Sequence, residues 1–178
     1  AAFTIGSEMS GGVEDVLVED CTVISAGVGV EVKVGAGRGG FVRRIAVQRL
    51  QVGDTLRAGL VVMATYPEGN PFCTERAPPA PLVSDISFED VTVTGNAQGY
   101  LVQFKGTPEV FMKNLSVRRF QAPDVAGKGQ WDCNPRIDGR AEDSNPRPCR
   151  ELRPKLQLSL RSQRPSLPVG WRSDGRCG

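Results

Sequence analysis

The chain has 178 residues, 39% of them apolar, which is enough to line one core. It contains no histidine, which excludes a Ser-His-Asp or Cys-His nucleophile and the His-ligated metal sites from this chain. The formal charge of +2 is unevenly placed, with 16 basic and 19 acidic groups in residues 1–152 against six and one in 153–178, so the folded part has no field favouring nucleic acid.

Gly and Pro number 21 and 13, and aromatic residues are only 6%. That mix predicts many short strands joined by turns rather than long helices. Ala1-Ala2-Phe3-Thr4-Ile5 reads as the end of a strand, so the N-terminus is expected to be an internal cut. A glycine-rich turn, Gly6-Ser7-Glu8-Met9-Ser10-Gly11-Gly12, follows it.

A repeat then begins. Asp15–Cys21, Arg44–Leu50, Asp85–Val91 and Asn114–Phe120 superpose without gaps, each with apolar side chains at the second, fourth and seventh positions. Period-2 alternation marks a strand with one buried face, and its break at the seventh position marks a bend. From Val16 to Ile45 is 29 residues, from Ile45 to Ile86 is 41, and from Ile86 to Leu115 is 29. An insertion around Pro67–Leu82, rich in Pro and Gly, accounts for the long interval. Secondary apolar runs at Val28–Val34, Leu60–Ala64 and Tyr100–Phe104 lie between the repeats. The acid pairs Glu19-Asp20 and Glu89-Asp90 recur at one repeat position, as scaffold acids do and catalytic acids would not.

Such a unit cannot bury its inner face alone, so neighbouring coils must stack. The reading is all-β: a right-handed parallel β-helix, truncated at its N-terminal end, with coils over residues 1–122. An antiparallel sandwich of hairpins is the alternative, but tight Asn-Gly or Asp-Gly turns are absent. Beyond Gln121 the periodicity ends. Cysteines stand at 21, 73, 133, 149 and 177 with no Cys-x-x-Cys, a spacing that disfavours zinc and permits disulfides, Cys133 with Cys149 foremost, in an oxidising compartment. Residues 153–178, rich in Arg, Ser and Pro, are expected to be a disordered tail.

The opening turn, followed by Val30-Glu31-Val32-Lys33-Val34 and Gly37-Arg38-Gly39-Gly40, resembles the substrate-cleft signature of family 28 glycoside hydrolases, the polygalacturonases. The region from Trp131-Asp132-Cys133 to Pro148-Cys149-Arg150-Glu151-Leu152 is similar to the C-terminal cap of the plant-type members, implying a cap over residues 123–152. The resemblance implies a secreted, monomeric enzyme that hydrolyses α-1,4-galacturonosyl linkages of pectin with inversion, without cofactor or metal and without nucleic-acid or membrane partners. Inversion needs two carboxyl groups about 6.5 to 9.5 Å apart. In the family these aspartates precede the Gly-Ser-Glu turn, so this chain is expected to hold no catalytic residue and, in isolation, to be inactive.

The resemblance assigns substrate contacts to Lys33, Arg38, Tyr66 and Glu8. Lys33 matches a lysine that meets a galacturonate carboxylate, for which a flexible ammonium is a suitable point charge. Arg38 is expected to reach a substrate carboxylate, and Tyr66, after the Leu60–Ala64 run, to offer a ring face to a pyranose. Glu8 stands in the turn that faces the cleft, with a hydrogen bond inside the turn as its expected role. Glu31 departs from the pattern, because the family has arginine there, suited to two-pronged carboxylate contact. Repulsion of polyuronate, or neutralisation of Lys33, would follow. That departure keeps a second reading open: a non-catalytic β-helix that binds carbohydrate or protein. A calcium-dependent lyase would need an acidic cluster that the sequence does not supply.

Overall fold

A computed structural model describes residues 1–9, 11–65, 79–95, 97–123, 125 and 129–153. Its strands are β1 (Phe3–Ile5), β2 (Val13–Lys33), β3 (Phe41–Met63), β4 (Leu82–Val93), β5 (Tyr100–Lys105), β6 (Met112–Gln121), β7 (Gly129–Cys133) and β8 (Ile137–Glu142). Every pairing is parallel. The order is β1-β2-β3-β4-β6-β8, with β5 on β3 and β7 on β5. Among the described residues helix is confined to two short 3₁₀ turns, Ala36–Arg38 and Arg150–Leu152. This is an all-β arrangement of parallel strands in one sheet, as in a β-helix solenoid, and the antiparallel alternative is overturned. Among the described residues no helix is long and apolar enough to cross a membrane.

The repeat becomes columns of like side chains. Val16, Ile45, Ile86 and Leu115 fall in register, as do Val18, Val47, Phe88 and Val117, and Cys21, Leu50, Val91 and Phe120. From β3 onward these positions are at most 2% exposed. Each fully buried aliphatic or aromatic side chain contributes about 1.5–3 kcal/mol by leaving water, so the columns dominate the stacking energy. Phe88 stacks on Phe104 at 5.8 Å between centroids, and Phe120 meets Trp131 edge-on at 5.4 Å. The secondary runs form another ladder: Val30, Leu60, Val102 and Trp131 in one row, Val32, Val62, Phe104 and Cys133 in the next.

Bends come from the flanking polar residues. Asp15, Asp20, Arg44, Arg49, Asp85, Asp90, Asn114, Arg119 and Asp143 all have φ between 49° and 57°. Left-handed backbone is uncommon outside glycine, though Asp and Asn adopt it more readily. Within β2, β3, β4 and β6 the pairing register skips the bend residue and resumes unchanged beyond it. The corner residues then pair between coils. Arg44 Nε donates to Asp15 Oδ1 at 2.6 Å, Arg49 Nε to Asp20 Oδ1 at 2.6 Å, and Asn114 Nδ2 to Asp85 Oδ1 at 2.6 Å. Arg119 likewise serves Asp90. The recurring acid pairs are therefore one half of a lattice of corner contacts.

After β7 a Cys133–Cys149 disulfide ties the strand end to the Arg150–Leu152 turn. Leu152 is fully buried there. Cys21 is a free thiol. Tyr66, Cys73, Cys177, most of the insertion and nearly all of the expected tail lie outside the described residues.

Candidate functional site

The register of β1 on β2 builds the site. Phe3, Thr4 and Ile5 pair with Val30, Glu31 and Val32, so the turn after β1 lies directly against the end of β2. Gly6 has φ of 87°, and a Cβ there would sit 1.9 Å from the Lys33 carbonyl oxygen. Only glycine lets the turn approach so closely. Gly12, at φ 113°, meets the Phe41 ring in the same way. Ser7 and Met9 are buried beneath the turn, while the Glu8 side chain is 81% exposed.

After β2, Val34 leads to the Ala36–Arg38 3₁₀ turn, which closes with Arg38 N–H donating to the Gly35 carbonyl at 3.0 Å. Gly39 and Gly40 then take φ of 64° and 68° and return the chain to β3. The loop brings Arg38 Nη1 to 3.5 Å from Glu8 Oε1. Ser7 Oγ donates to the same oxygen at 3.2 Å. The Arg38 Nε is buried without a protein hydrogen-bond partner.

Glu8's carboxyl is held below its ordinary range. The largest cause is its own backbone N–H, then the Ser7 hydroxyl; burial opposes them, and the charges of Arg38 and Lys33 add smaller lowering effects. Glu8 is thus an anion at neutral pH, unsuited to donating a proton. Three of the four residues singled out in the sequence, Glu8, Lys33 and Arg38, come together here; Tyr66 is not described.

The outer face carries further groups. In register across the strands run Thr4, Glu31, Val61, Gln103 and Asp132, and beside them Lys33, Met63 and Lys105. Glu31 points into this face with its side chain 8% exposed and is ion-paired to Arg57 Nη2, whose side chain is 54% exposed. Lys105 pairs with Asp132 Oδ1, and Gln103 Nε2 donates to Asp132 Oδ2 at 3.0 Å. Val28, Ala58 and Val61 form a small apolar cluster with Met63, separate from the main core.

Sequence reading missed Arg57, Gln103, Lys105 and Asp132. All four fall outside the four aligned segments, and a register shift between Ala26 and Val28 changes the coil offset from 29 to 30 residues before Glu31. A search for charged residues flanking the secondary apolar runs would have found Arg57 and Lys105. Chemically, the face presents cations from Lys33 and Arg38, with the partly exposed Arg57 beside them, to a solute on the outside of the sheet. Its acids are ionised or ion-paired, which suits binding an anion over transferring protons.

The sequence matches glycosyl hydrolases family 28 over residues 3–135. It is 27% identical over 158 residues to a protein of Vitis vinifera described as "Probable polygalacturonase". That alignment covers 85% of this chain and 30% of the relative, so the chain spans about a third of that protein's length. No solved structure matches the sequence.

Proposed function

The chain belongs to glycosyl hydrolases family 28, and from that premise we propose that it is the C-terminal part of a pectin-degrading polygalacturonase. The full-length protein would hydrolyse α-1,4-galacturonosyl linkages with inversion, through aspartates on polypeptide ahead of Ala1. Residues 1–122 would be coils of a right-handed β-helix and 123–152 its cap. The protein would be secreted to the cell wall as a monomer, and the Cys133–Cys149 disulfide fits an oxidising compartment.

The observation that carries this reading is the meeting of Lys33, Arg38 and Glu8 at the end of β2. Two cations on a shallow outer face offer charge-assisted bonds to successive carboxylates of a polyuronate. Glu8 would hold Arg38 in place, and no proton transfer would be routed through this cluster.

Glu31 favours the second reading, a non-catalytic solenoid binding carbohydrate or protein, because it puts a carboxylate on the face that meets the anion. Its ion pair with Arg57 offsets that charge, which removes the repulsion that a bare carboxylate would exert on a polyuronate. Reducing-sugar release from polygalacturonate by the full-length protein, with the product anomer read by NMR, decides between them. Release of the inverted anomer supports the hydrolase. Binding to the polymer without hydrolysis, with the protein folded, supports the binding module and defeats the enzyme.

A further inference from the structure

Where the chain enters the outer face, β3 carries one residue more than β2. Ala26 pairs with Thr55 and Val28 with Ala58, so Leu56 and Arg57 stand against Gly27 alone. Such a β-bulge re-aims a side chain that a regular ladder would fix. The following coil packs closely onto it, since a Cβ at Gly99 would lie 2.0 Å from the Arg57 carbonyl oxygen. The bulge is thus held between β2 and the chain leading into β5.

From this bulge Arg57 reaches Glu31 on β2 and donates through Nη2 to its Oε1. The pair divides its exposure unevenly. The Glu31 side chain is 8% exposed and that of Arg57 54%, whereas in every other ion pair among the described residues the acid keeps at least 24%. A solute on the outer face therefore meets the guanidinium and not the carboxylate. Val28, Ala58 and Val61 beside the pair are at most 2% exposed. Burying a carboxylate among apolar neighbours is costly, and hydrophobic residues in place of such a pair are often at least as stable. Stability alone does not account for Glu31. Holding Arg57 does, because the contact orders a long side chain while engaging one of the five N–H donors in a planar fork that matches carboxylate geometry. Lys33 stands two residues beyond Glu31 on the same face, about 7 Å along the strand.

We propose that Arg57 is a substrate-contact residue of the outer face and that Glu31 is its positioning residue, so that a uronate carboxylate is bound by Arg57 as well as by Lys33. The inference rests on the proposed reading that this face meets a polyuronate, and it adds a residue that lies outside the repeat.

Calorimetric titration of the full-length protein with oligogalacturonate tests it, with urea unfolding of each variant alongside. Glu31→Leu removes a negative charge, yet it is expected to weaken binding about two- to tenfold, the cost of ordering one long side chain. The double variant Glu31→Leu, Arg57→Ala is expected to regain the stability that Arg57→Ala alone loses but to stay about tenfold weaker in binding than wild type, the size of one charge-assisted bond. A merely structural pair gives the opposite pattern: affinity returns with stability in the double variant, and is unchanged or tighter in Glu31→Leu. Either of those results overturns the inference, as does wild-type protein that binds no oligogalacturonate. Binding without hydrolysis, with the variants ranked as expected, supports Arg57 and defeats the hydrolase reading instead.

Discussion

The carboxylate of Glu31 on β2 is ion-paired to the guanidinium of Arg57 on β3, with the acid almost wholly buried and the base half in water. The two are 26 residues apart and belong to different repeat contexts. Their pairing turns a buried carboxylate on β2 into a neutral contact with a half-exposed cation.

Removing one partner therefore costs more than removing both. Arg57→Ala is expected to lower stability by about 1–3 kcal/mol, because it leaves Glu31 buried without its counter-charge. Adding Glu31→Leu should recover much of that loss. Urea unfolding of the single and double variants checks it, and additive losses would refute the coupling.

Gly6→Ala forces a Cβ toward the Lys33 carbonyl in left-handed backbone. A loss of about 2 kcal/mol is expected, a fall in Tm of about 4–8 °C for a chain of this size. Thermal unfolding followed by circular dichroism measures it.

On the proposed reading, Lys33→Ala in the full-length protein should weaken binding of oligogalacturonate about tenfold, the size of one charge-assisted bond. Lys33→Arg should restore part of the affinity. Calorimetric titration gives both values.

Stability should fall in acid. Glu14, Asp15, Asp20, Asp85, Glu89 and Asp90 are held below their ordinary range, in each case chiefly by hydrogen bonds from Arg or Asn of the next coil. A depressed folded value means stability that is fully present above the unfolded values, 4.5 for Glu and 3.8 for Asp, and lost as pH drops below them through the folded ones. Calorimetry should show Tm nearly level from neutral pH to about 5 and falling below that, with added salt reducing the contribution of these exposed pairs.

Reducing the Cys133–Cys149 bond frees a loop with a sequence separation of 16, worth about 3 kcal/mol in chain entropy. A matching fall in Tm under reductant, absent from a Cys133→Ala, Cys149→Ala variant, is the expected result.

Much of the site was legible because it is local. Gly6, Ser7 and Glu8 form one turn, and Lys33 and Arg38 stand on one strand end and its loop. Arg57 and Asp132 were not, since no spacing along the chain marks which residue of a neighbouring coil faces Glu31 or Lys105. A one-residue shift between Ala26 and Val28 is enough to move that neighbour.

The sequence by itself determined the coil. Apolar residues at fixed repeat positions must face one interior, and polar residues between them must bend the chain, whatever packs alongside. Only the tertiary structure decided how charges on successive coils meet: that Arg44 and Arg49 answer Asp15 and Asp20, and that Arg57 answers Glu31. Hydrophobic burial depends on a residue's own face and leaves a period in the chain. An ion pair depends on the register between two strands, which is set by the whole stack.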